Sequence, residues 1–76
     1  MDEEFMLKIV EQYNQKSDTE IEDIKIVRVP DFKTVFVEQI GGVGRSIILT
    51  EYRVDGKKYW AGYSSRSQTV FISRAS

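Results

Sequence analysis

The chain has 76 residues with no cysteine and no histidine, which leaves room for one small domain (residues 1–76) and excludes disulfides and the usual zinc ligands. Hydrophobic residues make up 41% and charged residues 30%, a balance typical of folded domains, which argues against intrinsic disorder. The net charge of −1 is divided unevenly: residues 1–38 hold ten acids and five bases, whereas residues 39–76 hold two acids and six bases. The basic second half either faces an anionic partner or attracts the acidic first half.

The first predicted element is a helix over residues 2–16. Asp2 can cap its start, and the acidic residues that follow favour the positive end of a helix. Apolar residues then recur at the spacing of one helical stripe, at Phe5, Met6, Ile9, Val10 and Tyr13. Residues 17–20 have the form of a capping box, so residues 20–24 could form a helical turn, although we expect a polar linker there.

Strand patterns follow over the rest of the chain. Alternating and β-branched residues predict strands over 24–29, 33–40, 45–54, 57–63 and 68–74. Pro30 ends the first of these, because proline cannot donate to a sheet ladder, and Gly41–Gly44 interrupts the second. The polar residues 64–67 predict a turn before the last strand.

Asp55-Gly56 is the strongest hairpin signal in the chain, and a type I′ turn there fixes the register of the strands on either side. The predicted cross-strand pairs are Val54–Lys57, Arg53–Lys58, Tyr52–Tyr59 and Glu51–Trp60. One face then carries Ile48, Tyr52, Val54, Tyr59, Ala61 and Tyr63. The other face carries Ile47, Leu49, Glu51, Arg53, Lys58, Trp60 and Gly62.

These elements predict an α+β fold. We expect one N-terminal helix packed on a curled antiparallel sheet of four to five strands, a meander that could close into a barrel. No apolar run approaches the roughly 20 residues that cross a bilayer, and the N-terminus is acidic, unlike a signal peptide. We therefore expect a cytoplasmic protein without membrane contact.

Enzyme chemistry has little support in the sequence. Without histidine or cysteine, the usual general base near neutral pH and the thiol nucleophile are missing. Glu38 and Glu51 could form an acid–base pair, but we expect each to be solvated, with Glu51 bridging to Lys58 or Arg53. The serines of residues 64–67 are ordinary turn residues. We predict a non-enzymatic protein with no metal and no cofactor.

The glycine-rich segment 41–46 is a weaker candidate for contact with an anion or a partner. Its contacts would come from Gly42, Gly44 and Arg45, with Arg66 joining from a later turn. The segment lacks the spacing of phosphate-binding loops and precedes a strand, where those loops precede a helix. A flexible turn is the expected role, and a contact loop is the alternative.

The basic hairpin, residues 53–60, places cations beside an aromatic ring. Arg53, Lys57 and Lys58 lie near its tip, and Trp60 shares a face with two of them. Cations and rings of this kind contact the phosphates and bases of nucleic acids. Lysines at a tip also keep a sheet edge unpaired, and the acidic pI of about 5.4 is unlike that of dedicated nucleic-acid binders. Nucleic-acid binding is therefore the alternative function.

The face bearing Ile47, Leu49 and Trp60 predicts the leading function, protein binding. These residues either form an apolar patch rimmed by the basic hairpin or are buried by curling of the sheet. We take the patch as an interface for a protein partner, including a second copy in a homodimer. Trp60→Ala should then weaken association more than Lys57→Ala. No motif identifies a family; in size and arrangement the chain is similar to small accessory and inhibitor proteins of bacteria and their phages.

Overall fold

The fold is a helix followed by strands in two sheets, as seen in a computed structural model that describes residues 3–15, 20–21, 23–29 and 34–75. The helix is α1 (Glu3–Gln15). The strands are β1 (Glu20–Ile21), β2 (Ile24–Arg28), β3 (Val35–Ile40), β4 (Val43–Ile48), β5 (Thr50–Val54), β6 (Lys57–Ser64) and β7 (Thr69–Ala75). The predicted α+β class is confirmed.

The N-terminal segment folds as predicted up to the end of α1. Glu3 and Glu4 occupy its first turn, and the predicted apolar stripe faces the sheet. The predicted capping residues Asp2 and 17–19 lie outside the described part of the chain. Glu20 and Ile21 form neither a linker nor a helical turn, because they pair antiparallel with the start of β2.

The larger sheet has the strand order β1-β2-β7-β6-β5. Its β5–β6–β7 part is the predicted antiparallel meander. Asp55 and Gly56 have φ values of 52° and 74°, as a type I′ turn requires, and all four predicted pairs across this turn are confirmed. The expectation of a wholly antiparallel sheet needs one correction, because β2 pairs with β7 in parallel.

The predicted strand over residues 45–54 is wrong, because the chain leaves one sheet and enters the other at Leu49. The first half becomes β4, which within the described residues pairs with β3 alone, in a separate two-stranded sheet. Gly41 and Gly42 join these strands with φ values of 56° and 80°, a conformation that glycine adopts without steric cost. We call residues 35–48 the outer hairpin.

The larger sheet lies between α1 on one face and the outer hairpin on the other. The core on the helix side consists of Met6, Ile9, Val10, Ile24, Ile26, Tyr59, Ala61, Val70 and Ile72. The core on the hairpin side consists of Val29, Ile47, Leu49 and Phe71, with Phe36 and Trp60 packed against it. Both faces of the sheet are therefore covered by the chain itself, without closure into a barrel.

Candidate functional site

The outer hairpin has two faces of opposite character. Its strands are in register, with Val35 opposite Ile48 and Ile40 opposite Val43, so alternate pairs point to opposite sides. The inner face, toward the larger sheet, carries Phe36, Glu38, Ile40, Val43, Arg45 and Ile47. The outer face, away from it, carries Val35, Val37, Gln39, Gly44, Ser46 and Ile48.

Apolar contacts hold the inner face against the sheet. The ring centroids of Phe36 and Phe71 are 4.5 Å apart, and Ile47 is buried beside them. Gly62 on β6 makes this close packing feasible, since a Cβ there would lie 2.5 Å from the carbonyl oxygen of Ile48. The hairpin thus packs closely against the sheet at Gly62, where there is no side chain.

A polar cluster, which we call the latch, holds the inner face nearer the tip. It consists of Glu38, Ser64, Arg66 and Ser67. Oε1 of Glu38 accepts hydrogen bonds from Oγ of Ser64 at 2.5 Å and from Nε of Arg66 at 3.0 Å. Oε2 accepts one from Oγ of Ser67 at 2.6 Å, and Nη2 of Arg66 donates to the carbonyl oxygen of Glu38. The latch ties β3 to the turn between β6 and β7.

The latch stabilises a charged carboxylate rather than a reactive one. Only 8% of Glu38 is exposed, so the expectation of a solvated strand residue is wrong. The hydrogen bonds from Ser64 and Ser67, together with Arg66, hold the pKa of Glu38 below its ordinary value, although burial alone would raise it. A carboxylate with a lowered pKa is a weak general base, so the arrangement suits a structural role.

The outer face leaves large aliphatic side chains in contact with solvent. Val35 is 44% exposed, Val37 52% and Ile48 72%. The remaining side chains of this face are uncharged, so an apolar strip runs along the hairpin without a formal charge. Ile48 also borders a groove of about 270 Å³ that Met6 and Tyr52 help to line.

The partner-binding residues predicted at the apolar patch lie inside the chain. Ile47 and Leu49 are buried and Trp60 is partly buried, all in the core beneath the outer hairpin. Trp60 does lie on the opposite face from Tyr59, as the register predicts. Of the two outcomes that the sequence left open for this face, burial within the chain is the one observed.

The basic hairpin is partly neutralised. Oε2 of Glu51 lies 3.1 Å from Nε of Arg53, and its Oε1 lies 3.8 Å from Nζ of Lys58, which confirms the predicted bridge. Lys57 is exposed at the tip. Because one carboxylate lies between two of the three cations, the positive field of this hairpin is weaker than its sequence indicates.

The predicted contact loop is divided among three structures. Gly42 belongs to the tight turn, Gly44 and Arg45 belong to β4, and Arg66 is engaged in the latch. The described residues contain no cluster of acidic side chains that could hold a metal ion. No helix among them is long and apolar enough to cross a membrane.

Comparison with known proteins gives no match: neither a protein-family model, nor a curated protein, nor a solved structure corresponds to the chain. Sequence reasoning missed the two main features of the site, the exposed outer face and the buried carboxylate. One signal pointed to the first, because Val35, Phe36 and Val37 are apolar in succession and would supply apolar groups to both faces of a strand.

Proposed function

We propose that this protein is a non-enzymatic, cytoplasmic protein-binding module whose binding surface is the outer face of the outer hairpin. The observation that carries the proposal is the exposure of Val35, Val37 and Ile48 on one uncharged strip. Exposed apolar strips of this kind are costly in water and are typical of surfaces that a partner covers.

The inner face supports the proposal by holding the strip in one conformation. The stacked rings of Phe36 and Phe71 and the hydrogen bonds to Glu38 fix the hairpin from beneath. A surface that is already ordered loses less conformational entropy when it binds. Binding energy from three modest aliphatic side chains is then not consumed in ordering the strand.

The proposed surface differs from the one that the sequence predicts. Ile47, Leu49 and Trp60 already contact the chain's own hairpin, so a partner would have to open that core to reach them. Val35, Val37 and Ile48 need no such opening. Trp60→Ala is accordingly expected to act mainly through stability, and binding should depend on the outer face.

The test compares proteins retained from cell extract by three forms of the chain immobilised on beads. Ile48→Lys places a charge on the strip opposite Val35, and Ile48 is exposed enough that the fold should tolerate it. Val27→Lys is the matched control, because Val27 is a similar residue, 42% exposed, on β2 of the larger sheet. We expect a partner retained by the wild type and by Val27→Lys to be lost from Ile48→Lys.

Direct binding is then measured with the purified partner, identified by mass spectrometry. A charge in an apolar contact typically weakens such binding by tenfold or more, about 1.4 kcal/mol. If the three forms retain the same proteins, or if the purified partner binds Ile48→Lys as tightly as the wild type, the outer face is not the binding surface.

A further inference from the structure

Among the described residues, β3 has a strand partner, β4, on one edge and none on the other. The amide of Leu49 donates to the carbonyl oxygen of Thr34 at 2.9 Å, which sets the alternation of the ladder. The backbone groups of Val35, Val37 and Gln39 therefore point away from β4, because hydrogen-bonded and non-hydrogen-bonded pairs alternate along antiparallel strands.

The other sheet edges carry the features with which proteins block edge pairing. In the larger sheet, β1 is only two residues long, and β5 carries the charged side chains of Glu51 and Arg53. In the outer hairpin, β4 carries exposed Arg45, and the carbonyl oxygen of Ile48 is directed toward Gly62. Charges and short length are common defences against edge-to-edge association. β3 is six residues long, and its one charged side chain, Glu38, lies on the inner face.

The charge on β3 is already compensated. Glu38 is the one ionisable side chain between Val35 and Ile40, and its carboxylate pairs with Arg66 at 3.0 Å. A two-fold contact brings each strand against its own copy, so an uncompensated charge would meet a like charge. With Glu38 paired inside its own chain, two β3 strands can approach without that repulsion.

We infer that a second copy of this chain binds at β3, with the two strands antiparallel about a two-fold axis at Val37. The inference goes beyond the proposed function, because it places a second copy at the edge of β3, beside the outer face rather than on it. In this register Val37 faces Val37 of the other copy, and Val35 faces Gln39. The backbone N–H and C=O groups of Val35, Val37 and Gln39 all point outward from the hairpin. Each facing pair of residues can therefore form two backbone hydrogen bonds, one in each direction. The two hairpins form one four-stranded sheet, whose outer side joins the two apolar strips.

The first test is the mass of the protein in solution over a range of concentrations, by sedimentation equilibrium. Val37→Lys places two ammonium groups beside the axis and should raise the dimer dissociation constant by at least about tenfold. Val43→Lys is the matched control, since Val43 is 56% exposed on the same hairpin but belongs to the inner face at its tip. It should leave the dissociation constant unchanged. Circular dichroism confirms that both variants retain the fold.

The second test uses the absence of cysteine from the chain. Opposite residues of a hydrogen-bonded antiparallel pair have Cα atoms about 5.5 Å apart, within the range that a disulfide spans. Val37→Cys should therefore form a covalent dimer under mild oxidation, and Val43→Cys should not.

A wild-type chain that stays monomeric at high concentration overturns the inference, as does a dimer that Val37→Lys leaves intact. Equal cross-linking of the two cysteine variants does the same. None of these results by itself contradicts protein binding at the outer face. A monomer whose purified partner binds the wild type and not Ile48→Lys would remove the second copy and retain protein binding at the outer face.

Discussion

At Gly62 the two sheets come so close that a side chain has no room. A Cβ on Gly62 would lie 2.5 Å from the carbonyl oxygen of Ile48 and 2.9 Å from side-chain atoms of Ile47 and Leu49. The nearest of these atoms is backbone, so the crossover itself would have to move. We expect Gly62→Ala to lower the free energy of unfolding by about 1–3 kcal/mol, the usual cost of overpacking. Urea unfolding followed by fluorescence measures it.

Gly44→Ala is the matched control for Gly62→Ala. A Cβ on Gly44 would lie 2.9 Å from Nε2 of Gln39, which is an exposed and flexible side chain that can turn away. The free energy of unfolding should change by no more than about 0.5 kcal/mol. Equal losses for the two substitutions would show that the close approach at Gly62 does not set the cost.

The titration of Glu38 makes the stability of the fold depend on pH. The folded pKa lies below the unfolded value, near 4.5, so the carboxylate stabilises the fold above about pH 4.5. This contribution is lost as the pH falls through the folded pKa. Glu38→Gln removes the charge at every pH. We expect the variant to be less stable than the wild type at neutral pH and the two stabilities to converge in acid, as measured by urea unfolding at a series of pH values.

Glu51→Gln separates this effect from a general loss of negative charge. The side chain of Glu51 is 36% exposed and makes surface ion pairs with Arg53 and Lys58. Surface pairs contribute only about 0–1 kcal/mol, so this variant should stay close to the wild type. A constant difference between Glu38→Gln and the wild type at every pH would contradict a stabilising charge at Glu38.

At the scale of single elements, the sequence predicts structure where one turn or one stripe decides it. The apolar stripe of α1 needs no information from the rest of the chain. The same holds for Asp55 and Gly56, whose positive φ values select the turn, and the turn then sets the register of β5 and β6. These local features account for the confirmed helix, the confirmed hairpin and the α+β class.

Elements that depend on distant contacts are not predictable in this way. Residues 45–54 contain no glycine or proline to mark the break at Leu49. The break depends on Gly62, which lies on another strand and admits the crossover. The parallel pairing of β2 with β7 likewise joins strands far apart in sequence. The alternating pattern of β2 indicates that one of its faces is buried, but it does not indicate which strand lies beside it.

The candidate site was only half predictable for the same reason. Alternation places Ile47 and Leu49 on one face and Ile48 on the other, and the structure keeps that division. Which face meets solvent is decided by the packing of Phe36 on Phe71, a contact between the two sheets. The sequence therefore left open whether the face of Ile47 and Leu49 is covered, and the contact between the sheets buries it within the chain.

At the scale of the whole molecule, the larger sheet has one core on each face, and the two cores differ in extent. The core beneath α1 joins the helix to strands β2, β6 and β7. The core beneath the outer hairpin is smaller, with four buried residues in the described part of the chain. A two-stranded sheet is marginal by itself, so the outer hairpin depends on this small core and on the latch.

We therefore expect the outer hairpin to open as a unit before the larger sheet unfolds. Native-state hydrogen exchange on Val37→Lys, which should be monomeric, should give β3 and β4 opening free energies at least about 1 kcal/mol below those of β6 and β7. Adding Phe36→Ala should lower the hairpin values further and leave β6 and β7 nearly unchanged, because among the described residues Phe36 packs against the smaller core and not the larger one. Val43→Ala, at the exposed tip, should change neither set. A single opening free energy shared by all four strands would mean that the two cores unfold as one cooperative unit.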